Sequence, residues 1–136
     1  MAGYSGTPLP QKLGIKETHR VALLGAPAGF DAKLGTLPAG TIVQRSLAGR
    51  SALDVIVAFV TKKSDLVARI AAVRPRMQPA AGLWIAWPKQ ASGVATDVTE
   101  HVIREVALPT GLVDNKVCAI DDTWSGLRLV IRREHR

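Results

Sequence analysis

The chain has 136 residues, the length of one domain, and its 47% hydrophobic and 21% charged residues are typical of a globular protein. A single cysteine excludes an internal disulfide framework, and no apolar run approaches the roughly 20 residues of a membrane helix. The net charge of +7 lies in residues 1–76, because residues 77–136 hold equal numbers of acidic and basic side chains. We therefore expect one soluble, cytoplasmic domain over residues 1–136, with an extended N-terminal arm over 1–11 and a charged tail over 132–136.

The predicted elements alternate between strands and helices along the chain. The first half of the chain contains a strand over 20–26, a helix over 30–37, a strand over 41–46 and a strand over 53–60. A helix then begins at Ser64, with an apolar stripe that reaches Met77, and a strand follows over 82–88. The last elements are a helix from Thr96 or Thr99 to Leu108 and a hairpin of 116–120 with 127–131.

Two kinds of apolar pattern support these assignments. The run at 53–60 is apolar almost without interruption, which is typical of a strand covered on both faces of a parallel sheet. Residues Leu66, Ile70 and Val73 recur at the spacing of one helix face. In the strand over 82–88, alternate residues such as Trp84 and Trp87 must point to opposite faces, so both faces need cover. This alternation predicts a three-layer Rossmann-like α/β fold, with a mostly parallel sheet of about six strands that ends in an antiparallel hairpin.

The predicted closing hairpin resembles the end of a class I S-adenosylmethionine-dependent methyltransferase, whose C-terminal half also finishes with an antiparallel hairpin. The resemblance implies the strand order 2-1-3-4-6-5, with the last-formed strand inserted antiparallel. The chain also resembles the bacterial family known as domain of unknown function 3052, through stretches that span nearly its whole length. Those stretches are YSGTPL at 4–9, RVALLGAPAGF at 20–30, GLWIAWPKQASGVATDVTE at 82–100 and LPTGLVDNKVCAIDDTWSGLRLVIR at 108–132. That resemblance implies no particular activity.

The turn after the first strand lacks the features of a nucleotide-binding loop. Such a loop uses glycines so that backbone N–H groups can approach the ligand, but here only two glycines remain and Pro27 removes a donor. The second strand should end in an Asp or Glu for the ribose hydroxyls, yet Gln44, Arg45 and Ser46 stand there. We expect no cofactor. Arg45 is either a surface residue or, as in NADP-type sites, a partner for a ribose phosphate.

Other catalytic patterns are weak, and we predict no catalytic residue and no metal site. The three histidines have no metal-ligand spacing, and Cys118 within an apolar strand is better explained as a small core residue. The pair Asp121 and Asp122 fits the turn of the hairpin. His101 and Glu105 fit a surface pair on a helix.

What remains is the position of certain residues at the carboxyl ends of the strands, where ligands bind in open α/β sheets. Lys89 could bind an anion there, aided by partial positive charge from helix N-terminal amides at Thr96 and Asp97. The full set of candidate ligand-binding residues is Tyr4, Ser5, Phe30, Trp87, Lys89, Ser92, Asp97 and Trp124. Each also has a purely structural explanation, such as a tryptophan in the core or a solvated lysine.

The leading hypothesis is a non-catalytic, methyltransferase-like domain that binds a small anionic ligand or a protein partner at this edge, in a chain that could form homo-oligomers. One alternative is a divergent transferase that uses Lys89 and Asp97 with a nucleotide-type cofactor. Another is a basic protein associated with nucleic acid, which the dispersed basic residues and the scarcity of aromatic side chains disfavour.

Overall fold

The computed structural model describes residues 6–136, so the candidates Tyr4 and Ser5 lie outside the described residues. The strands are β1 (Arg20–Leu24), β2 (Ile42–Gln44), β3 (Leu53–Phe59), β4 (Met77–Pro88), β5 (Leu112–Ala119) and β6 (Trp124–Ile131). The α-helices are α1 (Leu9–Lys12), α2 (Phe30–Leu34), α3 (Lys63–Val73) and α4 (Glu100–Ala107). Short 3-10 turns cover Arg74–Arg76, Gln90–Ser92, Leu108–Thr110 and Arg133–His135.

All six strands form one sheet in the order β2-β1-β3-β4-β6-β5. The pairs β1–β2, β1–β3 and β3–β4 are parallel, whereas β6 runs antiparallel to both β4 and β5. The predicted strand order, with the last strand inserted antiparallel, is therefore confirmed. The predicted mostly parallel α/β sheet is confirmed with it.

The two faces of the sheet carry separate apolar cores. Leu83 and Ile85 pack with the buried residues of α3 and α4, and Trp87 packs against the same core. On the other face, Trp84 packs with α2 and with the segment after α1, and its indole N–H donates to the carbonyl of Leu13 at 3.0 Å. The predicted alternation of β4 side chains is confirmed, and helices cover both faces.

The helix boundaries differ from the predicted ones where caps and prolines intervene. Helix α3 ends at Val73 because Pro75 lies in the next turn, so Met77 is the first residue of β4 and not part of the helical stripe. Helix α4 begins at Glu100, where the Thr99 side chain accepts from the Val102 amide at 3.2 Å and caps the helix.

Two terminal segments of the described residues differ from the prediction. The arm predicted as extended over residues 1–11 contains the helical turn α1, because proline is tolerated in the first turn of a helix. The charged tail turns back on the sheet, since the Arg136 side chain donates to the Ile131 carbonyl at 2.7 Å. The hairpin loop is also shorter than predicted, and Trp124 belongs to β6.

None of the helices within residues 6–136 has the length and apolar character needed to cross a bilayer.

Candidate functional site

The five strands β1 to β5 run in the same direction and end at the same edge of the sheet, whereas β6 runs the opposite way. The strand order reverses between β1 and β3, because β2 lies on one side of β1 and β3 on the other. Ligands of open α/β sheets bind beyond the carboxyl ends of the strands at such a reversal. This edge is therefore a candidate ligand site of the domain.

The turn after β1 packs against the end of β3. Gly25 has a φ of +68°, and a Cβ at this position would lie 3.1 Å from the carbonyl oxygen of Phe59. The Phe30 amide donates within the turn, to the Pro27 carbonyl at 3.1 Å. This glycine is thus explained by the close approach of two backbones, and Pro27 contributes no donor.

Three aromatic rings fill the space beside this turn. Phe30 packs edge-on against Phe59 with ring centroids 4.9 Å apart, and Phe59 packs edge-on against Trp124 at 5.1 Å. Phe30 is 1% exposed, so this candidate residue lies in the core. Trp124 is partly buried. The aromatic stack of these three residues occupies the reversal point on the Trp84 face of the sheet.

The end of β2 presents no acidic acceptor. The Gln44 side chain donates to the carbonyls of Ser46 and Ala48, at 2.7 and 3.2 Å. Arg45 pairs with Asp31 of α2 at 2.9 Å, and both side chains are exposed. The guanidinium considered for a ribose phosphate is therefore engaged by a carboxylate.

An open cleft of about 370 Å³ lies at the carboxyl edge on the same face as the aromatic stack, and we call it the N-terminal cleft. Its lining residues are Gly6, Thr7, Leu9, Lys12, Lys33, Ile120, Asp121 and Asp122. They come from the segment before β1, from α2 and from the turn between β5 and β6.

Asp121 is the charged anchor of the N-terminal cleft, and it is 4% exposed. One carboxylate oxygen accepts from the amides of Thr123 and Trp124, at 2.8 Å each, and the other accepts from the Lys33 ammonium at 2.9 Å. Burial opposes ionisation, but the Lys33 hydrogen bond and the two amides hold the pKa of this carboxyl below its ordinary value. Asp121 thus closes the predicted turn and fixes Lys33 in the cleft wall.

A second cleft, of about 620 Å³, lies on the opposite face, and we call it the tryptophan cleft. It is lined by Trp87, Pro88, Gln90, Gly93, Val94, Ala95, Thr96, Val98 and Thr99. None of these lining side chains is charged, so the tryptophan cleft offers apolar surface, backbone groups and the polar side chains of Gln90, Thr96 and Thr99.

Three predicted residues lie near the tryptophan cleft and contribute backbone or side-chain hydrogen bonds within the fold. The Lys89 amide donates to the Thr123 carbonyl at 2.7 Å, and the Ser92 hydroxyl donates to the Lys89 carbonyl at 2.6 Å. A carboxylate oxygen of Asp97 accepts from the Lys63 amide at 2.6 Å and caps α3. Lys89, Ser92 and Asp97 do not line the cleft.

The helix N-terminal amides predicted at Thr96 and Asp97 are not found there. The prediction was wrong because α4 begins only at Glu100. The Asp97 amide is also engaged, since it donates to the Thr61 carbonyl at 3.3 Å.

The residues predicted from the sequence do not include the lysines of the N-terminal cleft. Trp87 lines a cleft as expected, whereas Phe30 and Trp124 belong to the aromatic stack. The missed residues are Lys12, Lys33 and Asp121. The doublet of Asp121 and Asp122 was a visible signal, but the lysines carry no local pattern that distinguishes them from surface residues.

The fold is that of the class I S-adenosylmethionine-dependent methyltransferases. The domain is similar to a SAM-dependent methyltransferase from Aquifex aeolicus, with a TM-score of 0.62 and 15% identity over 90% of this chain and 87% of that one. It is also similar to fibrillarin from Aeropyrum pernix in complex with natively bound S-adenosyl-L-methionine, with a TM-score of 0.57 and 15% identity over 94% and 70% of the two chains. A TehB-like SAM-dependent methyltransferase from Corynebacterium glutamicum gives a TM-score of 0.57 at 10% identity over 96% and 91%.

The sequence matches no protein-family model and no curated protein. Membership in the family known as domain of unknown function 3052 therefore stays a prediction. At identities this low, the likeness to solved methyltransferases describes the fold and not the activity.

The residues at the edge do not fit S-adenosylmethionine. The turn after β1 contains Pro27, and its Phe30 amide is already bonded within the turn. The end of β2 offers Gln44 and Arg45, which are bound to carbonyls and to Asp31, in place of an acidic acceptor. The ring of Phe59 lies between two other aromatic rings at the reversal point.

Proposed function

We propose that this protein is a non-catalytic domain of methyltransferase-like fold that binds a small anionic molecule in the N-terminal cleft. The observation that carries the proposal is the ion pair between Lys33 and Asp121. The buried carboxylate of Asp121 holds a lysine ammonium in the wall of a cleft, at the edge where this fold binds ligands.

The shape of the cleft favours a small molecule over a protein partner. Small-molecule sites are concave, with volumes of roughly 300 to 1,000 Å³, and the N-terminal cleft measures about 370 Å³. It combines apolar walls from Leu9 and Ile120 with two ammonium groups, Lys12 and Lys33, and with the carboxylates Asp121 and Asp122, of which Asp121 is turned inward to the amides of its own turn. Such a site suits a ligand with a carboxylate or phosphate at one end and a short apolar body.

A non-catalytic role is supported by the poor fit of the edge to an adenosyl cofactor. The three aromatic rings pack together at the reversal point, and the end of β2 offers Gln44 and Arg45 where an adenosyl cofactor needs an acidic acceptor. The divergent transferase remains the alternative, and it requires that such a cofactor bind.

Isothermal titration calorimetry tests both parts of the proposal. The full chain is titrated with S-adenosylmethionine, with NADPH, and with a set of small carboxylates and phosphate monoesters. We expect no stoichiometric binding of the two cofactors and 1:1 binding of at least one small anion. Tight, stoichiometric binding of either cofactor would support the transferase instead.

The variant Lys33→Gln tests whether the anion binds in the N-terminal cleft. Glutamine keeps an N–H donor for Asp121 but removes the charge, so we expect anion affinity to fall about tenfold, as for loss of one charged hydrogen bond. Arg50→Gln is the matched control, because Arg50 is an exposed cation on the connection between β2 and β3. An anion that binds both variants equally well, or a set in which nothing binds, contradicts the ligand proposal.

A further inference from the structure

A second group of cations lies away from the carboxyl edge, on the sheet face that α1 covers. Lys116 of β5 stands directly opposite Arg128 of β6, which is itself paired with Trp84 of β4. Like charges in directly opposite positions of a sheet are destabilising. We call the small cleft above them the basic pocket, which is lined by Gln11, Lys12, Leu13, Gly14, Lys116 and Arg128.

The Arg128 side chain lies close to the sheet because Gly82, the residue beneath it, has no side chain. A Cβ on Gly82 would lie 2.5 Å from Nε of Arg128 and 3.0 Å from its Nη2. The residue is partly buried, and burial, with a smaller contribution from the positive charge of Arg136, lowers the pKa of the guanidinium. A planar donor group therefore lies in the floor of the pocket, where water is partly excluded.

No carboxylate compensates these two cations within residues 6–136. Neither the Lys116 ammonium nor the Arg128 guanidinium has an ion pair or a side-chain hydrogen bond in that part of the chain. The acidic residue nearest to Lys116 in sequence, Asp114, pairs with Arg104 at 3.0 Å. A partly buried guanidinium without a counter-ion is costly, and a bound anion would offset that cost.

We infer that the basic pocket is a binding site for a single oxyanion group, a phosphate or a carboxylate, held by Arg128 from the floor and by Lys116 from the rim. The basic pocket is small, about 140 Å³ against about 370 Å³ for the N-terminal cleft, which suits one such group. The guanidinium supplies a planar fork of donors that matches an oxyanion. Lys12 lines both the basic pocket and the N-terminal cleft, so the two sites are neighbours.

Calorimetry and thermal unfolding with inorganic phosphate, and separately with acetate, test this site. Sodium chloride at equal ionic strength is the reference for general screening. We expect at least one of the two anions to bind 1:1 at this site and to raise Tm beyond the chloride reference. Lys116→Gln and Arg128→Gln should each weaken that binding about tenfold, because each removes a charged hydrogen bond, while Arg50→Gln leaves it unchanged.

The outcomes separate this inference from the proposed function. Binding that falls in Lys116→Gln but not in Lys33→Gln supports the basic pocket, even if the N-terminal cleft binds nothing. Because Lys116 is exposed, its variant stays folded and informative should Arg128→Gln unfold. A Tm rise equal to that in chloride, or binding that falls equally in Arg50→Gln and Lys116→Gln, overturns the inference.

Discussion

Lys33 of α2 donates a hydrogen bond to the buried carboxylate of Asp121, a residue 88 positions further along the chain, at 2.9 Å. This pair joins the helix after β1 to the turn between β5 and β6. It thereby ties together elements from opposite ends of the sequence, at the edge where the fold binds ligands. The same contact defines the wall of the N-terminal cleft and gives Asp121 a role in stability.

Asp121→Ala should destabilise the fold by about 2–3 kcal/mol. The substitution leaves two amides, of Thr123 and Trp124, without their acceptor and removes the partner of Lys33. Urea denaturation of the variant and the wild type measures the loss. The neighbouring Asp122→Ala is the control, and it should change stability by less than about 0.5 kcal/mol because Asp122 is exposed. Equal effects in the two variants would contradict the role assigned to Asp121.

The contribution of Asp121 should also depend on pH. Its folded-state pKa lies below its ordinary value, so the unfolded chain binds the proton more readily. The stabilisation is therefore present above the unfolded pKa of about 3.9 and is lost as pH falls toward the folded pKa. Urea denaturation at a series of pH values from neutral to about 2.5 measures this slope. Asp121→Asn should flatten the acid part of the curve, and an unchanged slope would rule out this carboxyl as its source.

The sequence predicted the sheet well because its signals are local. The long apolar run of β3 and the alternation of Trp84 with Trp87 each depend on a few neighbouring residues, and the order of the strands followed from the resemblance to methyltransferases. The site was predicted less well because its contacts are distant. Asp97 caps α3 across 34 positions of sequence, which no pattern near Asp97 reveals. Lys33 likewise gains its role only from the topology that brings it to Asp121.

Cys118 should react slowly with thiol reagents. Its side chain is partly buried, and this burial raises the pKa of the thiol, although the nearby charges of Lys12 and Lys116 act in the opposite direction. We expect alkylation by iodoacetamide at pH 8 to be several times slower in the native protein than in urea. Lys116→Gln should slow the native reaction further, because it removes one of the two charges that favour the thiolate. A faster reaction in that variant would show that access, and not the local charge, controls the rate.

Two glycines on the Trp84 face should respond differently to a methyl group. A Cβ on Gly126 would meet the Ile120 side chain at 3.0 Å and the Trp84 ring at 3.1 Å, and both neighbours belong to the packed core. A Cβ on Gly82 would meet only the end of the Arg128 side chain, which can swing aside. We therefore expect Gly126→Ala to cost about 1–3 kcal/mol in urea denaturation through overpacking, and Gly82→Ala to cost less. Gly82→Ala should instead displace Arg128 and weaken phosphate or acetate binding in the basic pocket. If Gly82→Ala unfolded the protein while Gly126→Ala did not, the expectation that Gly126 has the more tightly packed neighbours would be wrong.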